Sequence, residues 1–307
     1  MPWALPPSHQ VPDISHVTEP TRCGHVALAG APNVGKSSLL NRLVGAHLAI
    51  VSPKAQSTRL PVLGLVSDAT TQIVLHDLPG LLDPGYLLQS RMRAAGLAEL
   101  ARVDLVLHLH PASAAPAPDF WSLAGTEPRP IPVLTVYTKS DLADQTQLGR
   151  LPEGSFPVSA ETGSGIDQLL NAIRRHLPER PFEFAGDDLG TQPLRFFVTE
   201  YLREAAFGAL EDEVPYGVAA EVEEFRENAA PVYIRVTLLV ERESQKGIVI
   251  GKGGRTLKAI GQHARQRLED LLGAQVFLDL WVKVLPNWRR DAAALDRLGF
   301  PPESAAR

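Results

Sequence analysis

A single cysteine, Cys23, stands among 307 residues, which rules out an internal disulfide and any zinc site built from several cysteines. That scarcity fits a reducing compartment. No apolar run approaches the roughly 18 residues a membrane-spanning helix needs, and the opening MPWALPPSHQVPDISH lacks the basic start and apolar stretch of a secretion signal. A cytoplasmic protein is expected, with peripheral attachment at the inner face of the cell membrane as the one membrane alternative. A large net charge is missing as well: at -5, with 21% charged and 44% hydrophobic residues, the average composition neither selects nor excludes a polyanionic partner. Internal repeats and long low-complexity segments are absent. Five prolines in the first 20 residues mark 1–21 as a disordered lead-in.

The length favours two domains, each able to bury its own core. Between 22 and 177 short Val/Ile/Leu-rich runs (HVALA, IVLHD, DLVLHL, PVLTVY) alternate with helical stretches. Weak alternation within the runs is the mark of central parallel strands covered on both faces. A doubly wound α/β domain with a mostly parallel sheet is therefore expected over 22–177. The segment 178–195, PERPFEFAGDDLGTQPLR, carries three prolines, two glycines and no periodicity, and is taken as the linker. Over 196–307 the order becomes α-β-β-α-α-β, a small α+β domain with a C-terminal tail.

Gly30-Ala31-Pro32-Asn33-Val34-Gly35-Lys36-Ser37 fits GxxxxGK[ST] and joins the strand HVALA to the helix KSSLLNRL. In that setting backbone N–H groups turn toward phosphate oxygens, Lys36 supplies a point charge, and the Ser37 hydroxyl can ligate Mg²⁺. Ser38 follows in the same first turn. Asp77-Leu78-Pro79-Gly80 ends the next strand, placing a carboxylate to hold a Mg²⁺-bound water and a glycine N–H near the γ-phosphate. Thr58, in QSTR at 56–59, would complete the metal shell. Thr138-Lys139-Ser140-Asp141 and Ser159-Ala160-Glu161-Thr162-Gly163 follow two further strands. Asp141 can accept both N1–H and the exocyclic amine of guanine, which adenine cannot reproduce.

The ordered set GxPNVGKS, QSTR, DLPG, TKSD, SAETG resembles the Era branch of translation-factor-class GTPases over about 22–300. The resemblance implies Mg²⁺-dependent hydrolysis of GTP to GDP by a monomer, with Ser159, Ala160 and Glu161 counted in the nucleotide site. Two positions depart from the usual pattern. Thr138 stands where the family usually has asparagine, so weaker nucleotide affinity is expected with specificity kept by Asp141. Leu81 stands where Ras-like enzymes carry a water-orienting glutamine, so intrinsic turnover should be slow. Asn33 matches the asparagine that in some relatives ligates K⁺.

A second glycine loop, Gly251-Lys252-Gly253-Gly254 in IVIGKGG, has neither the spacing nor the following hydroxyl of a phosphate loop. GxxG between two helices, in this element order, resembles the type II KH domain of the same family, whose loop clamps single-stranded RNA. Over 241–290 ten Lys or Arg face five acids, whereas 211–227 holds seven acids and one arginine; such local basic charge fits a nucleic-acid face. Gly251, Lys252, Gly253, Gly254, Arg255 and Lys258 are expected to meet the RNA backbone, with Ile248, Val249 and Ile250 lining a groove for bases. The resemblance implies the 3′ end of 16S ribosomal RNA, the 30S subunit and its maturation. The competing expectation is an RNA-binding assembly module whose nucleotide site regulates but scarcely hydrolyses. His108 and His110 are expected to serve packing or edge solvation rather than a metal, Cys23 to be inert, and Trp281 to be a core aromatic rather than a stacking platform.

Overall fold

The computed structural model describes residues 20–302. The proline-rich lead-in, up to residue 19, lies outside the described residues. The first domain runs β1 (Arg22–Ala29), α1 (Lys36–Val44), β2 (Val62–Ser67), β3 (Thr71–Asp77), α2 (Leu87–Leu100), β4 (Leu105–Pro111), α3 (Phe120–Ala124), β5 (Val133–Thr138), α4 (Gln145–Leu148), β6 (Phe156–Pro157) and α5 (Ile166–His176). The second runs α6 (Leu194–Ala209), β7 (Ala219–Arg226), β8 (Val232–Val240), α7 (Glu243–Ile250), α8 (Arg255–Leu272), β9 (Val276–Val284) and α9 (Ala292–Arg297).

The first sheet has the order β2-β3-β1-β4-β5-β6. All neighbours are parallel except β2, which pairs antiparallel with β3 at the edge. β3 is buried along its whole length, as are Val26 to Ala29 of β1 and Leu105 to Leu109 of β4, which is why these runs read as continuous rather than alternating apolar sequence. Register places Leu28 beside Asp77 and Pro111 beside Thr138. The carboxyl ends of β1, β3 and β5 therefore open onto one crevice, the place where doubly wound sheets bind ligands. The peripheral helices α3 and α4 are short, five and four residues, as the cramped sequence between the motifs implies.

In the second domain α6 and α8 cover one face of the sheet β7-β8-β9. Ile234, Val236 and Leu238 of β8 meet Phe197, Leu202, Ile260, Ala264 and Leu268 in one continuous core. The segment taken as a linker is a docked strap. Phe182 and Phe184 pack against Cys23, Leu65 and Val74, and Gln72 Oε1 accepts from the N–H groups of Glu183 and Phe184 at 2.8 and 3.0 Å. The absence of periodicity there reflects a chain held residue by residue across β1, β2 and β3.

Candidate functional site: a phosphate crevice and an RNA groove

α1 begins at Gly35, in the left-handed region at φ 96°, with no side-chain cap and no acidic residue in its first turn. Its first N–H groups are thus left for an anion rather than for the protein. Lys36 Nζ folds back onto the carbonyls of Gly30 and Ala31 at 3.3 and 2.9 Å. Burial lowers its pKa to about 8, the response of an ammonium group taken out of water without enough negative charge nearby. Gly80 closes the opposite wall: a Cβ there would lie 2.9 Å from Pro32 Cγ and 3.0 Å from the Pro32 backbone, so only glycine lets the loop after β3 approach the phosphate loop this closely. The resulting cavity, about 380 Å³, is lined by Pro32, Asn33, Lys36, Ser37, Ser38, Thr58 and Gly80 among others.

Three oxygens converge beside it. Ser37 Oγ donates to Asp77 Oδ2 at 2.7 Å, Thr58 Oγ1 donates to the same atom at 3.1 Å, and the two hydroxyls are 3.0 Å apart. Asp77 is fully buried, its Oδ1 has no partner among the described residues, and burial raises its pKa to about 6. An orphaned carboxylate oxygen among hydroxyls is a hard-donor set, and it fits Mg²⁺.

The base side is built on β5 and the loop after β6. Thr138 is 4% exposed, and its hydroxyl donates to Val34 O at 2.5 Å. The shorter side chain thus keeps the brace to the phosphate loop and has no donor left for a base. Lys139, at φ 55°, reaches Asn33 O with its Nζ at 2.8 Å, a second tie between the two motifs. Asp141 is exposed and lines an adjoining cavity of about 750 Å³ with Thr138, Lys139, Ala160 and Glu161. Ser159 is buried, and its Oγ accepts from Thr162 N at 3.0 Å, which fixes the turn that presents Ala160 and Glu161. Asn33 donates from Nδ2 to Pro53 O at 2.9 Å, leaving Oδ1 as the atom that could face a cation. Leu81 is 5% exposed in a core with Ala27, Leu78 and Phe120, and its N–H donates to Gly30 O at 3.1 Å. Position 81 is therefore structural.

The second loop repeats the first device without its metal oxygens. Gly251, Gly253 and Gly254 all have positive φ (71°, 63° and 78°), and a Cβ on Gly251 would lie 2.2 Å from Thr256 Oγ1. α8 starts at Gly254 with no side-chain cap and no acidic residue in its first turn, again offering N–H groups to phosphate. Lys252, Arg255 and Lys258 are exposed and make no ion pair among the described residues. Other parts of the basic cluster are neutralised: Arg289 pairs with Glu241, and Lys283 with Glu223.

The groove differs from the sequence expectation. Val249 is fully buried in the core, Ile250 is partly buried against it, and only Ile248, 50% exposed, faces outward. A helix shows a core face once per turn, so three consecutive residues cannot all line one groove. A groove of about 410 Å³ runs instead between α8 and the edge strand β9, over Leu257, Lys258, Gly261, Leu278 and Leu280. Trp281 is also corrected: it is 56% exposed, on the outward parity of β9 with Phe277. Period-two reading of LDLWVKV, with Leu278, Leu280 and Val282 inward, carried that signal. His108 is buried beside Phe120, with ring centroids 5.4 Å apart.

Comparison with known proteins agrees with this geometry. Residues 25–139 match a family described as a 50S ribosome-binding GTPase, and 213–289 match the KH domain. GTPase Era of Geobacter metallireducens is 40% identical over 296 residues, covering 92% of this chain and 98% of that relative. GTPase Era of Pseudomonas syringae pv. tomato is 37% identical over 294 residues, covering 92% and 98%. A point variant of Aquifex aeolicus Era bound to GDP·AlF₄⁻ superimposes with TM-score 0.85 at 34% identity, covering 92% of this chain and all of that one. An Era complex with MgGDPNP and nucleotides 1506–1542 of 16S ribosomal RNA gives TM-score 0.84, with the same identity and coverage. With both domains and nearly the full length of these relatives matched, the chain belongs to the Era family of GTPases.

Proposed function

We propose that this protein binds and hydrolyses GTP in its first domain, binds the 3′ end of 16S ribosomal RNA with its KH domain, and assists maturation of the 30S subunit. Ser37, Thr58 and Asp77 would hold Mg²⁺, Asp77 through a water. Bound there, the ion would draw charge off the β- and γ-phosphate oxygens. The chain's own groups do the rest. N–H groups of the loop Gly30–Ser38 wrap the phosphates, Lys36 turns from backbone carbonyls to phosphate, the Gly80 N–H meets the γ-phosphate, and Asp141 reads guanine beside Lys139, Ala160 and Glu161. With Leu81 in the core, water is left to backbone groups and ions, so unaided turnover is slow. Asn33 Oδ1 is the K⁺ candidate, tested by exchanging K⁺ for Na⁺.

For the RNA, Gly251 to Gly254 with Lys252, Arg255 and Lys258 clamp phosphates, and bases lie along α8 and β9. The observation that carries the proposal is the pair of uncapped helix starts, one beside an orphaned carboxylate and one beside three cations that make no ion pair among the described residues. The solved complex with 16S ribosomal RNA matches 92% of this chain, whereas the large-subunit description covers 25–139 alone; this favours the 16S target. We take the protein to be a cytoplasmic monomer, checked by sedimentation and cell fractionation. Among the described residues no helix is long and apolar enough to cross a membrane; peripheral attachment at the inner face of the cell membrane is the alternative that fractionation would reveal. The Gly253→Asp, Gly254→Asp double variant should lose binding to a 16S 3′-end oligonucleotide while binding GTP normally. Retained RNA affinity in that variant would refute the placement of the RNA site.

A further inference from the structure

The segment carrying Thr58 is gripped on both sides by the KH half of the molecule. Arg203 of α6, 4% exposed, donates from Nη2 to Ser57 O at 2.6 Å and from Nη1 to Glu200. Arg59 reaches the opposite way, donating from Nη1 to Val218 O and from Nη2 to Tyr216 O, both at 2.8 Å. Its guanidinium lies 5.5 Å from the centroid of the buried Trp288 ring. Thr58, between them, is 6% exposed and turned toward Ser37 and Asp77. Adjacent Cα atoms are about 3.8 Å apart and peptide planes are stiff. With Ser57 and Arg59 both anchored, Thr58 Oγ1 has little freedom to leave the metal site, and a metal-free hydroxyl need not be repositioned to bind one.

We propose that Arg203, although it belongs to the RNA-binding half, is a positioning residue for GTP hydrolysis: by holding the Ser57 carbonyl it keeps Thr58 Oγ1 where it completes the magnesium shell, with Arg59 as the counter-anchor. This rests on Thr58 being a magnesium ligand. The simpler role for Arg203 is packing alone, since it also pairs with Glu200 and lies 5.9 Å from the Phe207 ring centroid. The two roles predict different losses. A packing residue affects every ligand, whereas a Thr58-positioning residue affects only states that use Thr58. GDP bound in the absence of Mg²⁺ does not use Thr58, so its affinity under that condition is the control.

The test compares the full-length wild type with Arg203→Met, Arg203→Lys and Thr58→Ala. Binding of a non-hydrolysable GTP analogue is titrated against Mg²⁺, GDP binding is measured without Mg²⁺, and kcat, KM and affinity for a 16S 3′-end oligonucleotide are measured alongside. A charge-assisted hydrogen bond removed from a buried site corresponds to roughly a tenfold loss or more. Arg203→Met should raise the Mg²⁺ needed for half-maximal analogue binding, and lower kcat, by about that factor, with GDP and RNA affinity unchanged. Arg203→Lys, which keeps a donor for Ser57 O, should recover part of both, and it carries the test if the methionine variant does not fold. Unchanged Mg²⁺ dependence in Arg203→Met, or equal losses for GDP and RNA, would overturn the proposal while Thr58→Ala still shows its own effect. A silent Thr58→Ala would remove the magnesium assignment and the proposal together.

Discussion

Neutralising Lys252 and Lys258 together, as Lys252→Gln with Lys258→Gln, should flatten the salt dependence of RNA binding by a calculable amount. Both side chains are exposed, neither makes an ion pair among the described residues, and Lys258 lines the groove itself. Each cation that neutralises a phosphate of a single strand contributes a slope of about −0.7 in log K against log salt. Two lost contacts should therefore make the slope shallower by about 1.4, an affinity loss of about 25-fold at 0.1 M salt and under threefold at 0.5 M. Fluorescence anisotropy of a labelled 16S 3′-end oligonucleotide from 0.05 to 0.5 M KCl reads both numbers. GTP affinity serves as the internal control, because neither lysine approaches the phosphate crevice. A loss of equal size at every salt concentration, or an unchanged slope, would show that these lysines do not face phosphates and that the basic cluster is a solvated surface.

Other outcomes follow from single buried contacts. Leu81→Gln should not create a faster GTPase: it puts an amide into an apolar core, costing roughly 2–4 kcal/mol, and a thermal melt several degrees lower with unimproved turnover is expected; faster turnover would refute the buried placement. Thr138→Val leaves the Val34 carbonyl without its donor and should weaken GTP binding by roughly tenfold without changing preference over ATP, as nucleotide competition would show; an altered preference would mean that Thr138 touches the base. His108 has its pKa lowered by burial and by His110 from 6.5 to about 4. The unfolded chain therefore binds the extra proton between those values, and the stability of the native state, full above pH 6.5, falls as pH drops toward 4, by up to about 1.4 kcal/mol per unit from this group. His108→Leu should flatten that part of the pH profile of the urea midpoint; an unchanged profile would refute it.

Much of the candidate nucleotide site is local in sequence, which is why its residues could be named before the fold was known. Gly30 to Ser37 form one loop, Asp77 to Gly80 end one strand, and each motif includes the backbone that positions it. β1, β3, β4 and β5 were legible because strands buried on both faces are written as unbroken apolar runs. β2 was not, since an edge strand's identity comes from its partner: Asp68 Oδ1 accepts from the N–H groups of Thr70 and Thr71 at 2.9 and 2.8 Å, turning the chain so that Val62–Ser67 lies against β3. The candidate RNA groove was half legible. Its glycines and cations are contiguous, but its apolar wall comes from β9, where Leu280 lies against Gly261, a Cβ there falling 3.0 Å from Leu280 Cδ1. The grip on Ser57 and Arg59 was beyond reach, because its donors and acceptors stand about 150 residues apart in the chain.

The most direct test of the central claim is steady-state GTP turnover by the full-length protein, with and without a 16S 3′-end oligonucleotide, beside Lys36→Ala. Slow turnover that the oligonucleotide accelerates, that a scrambled RNA does not, and that disappears in Lys36→Ala is the predicted result. No turnover with or without the RNA, or turnover that survives loss of Lys36, would contradict it.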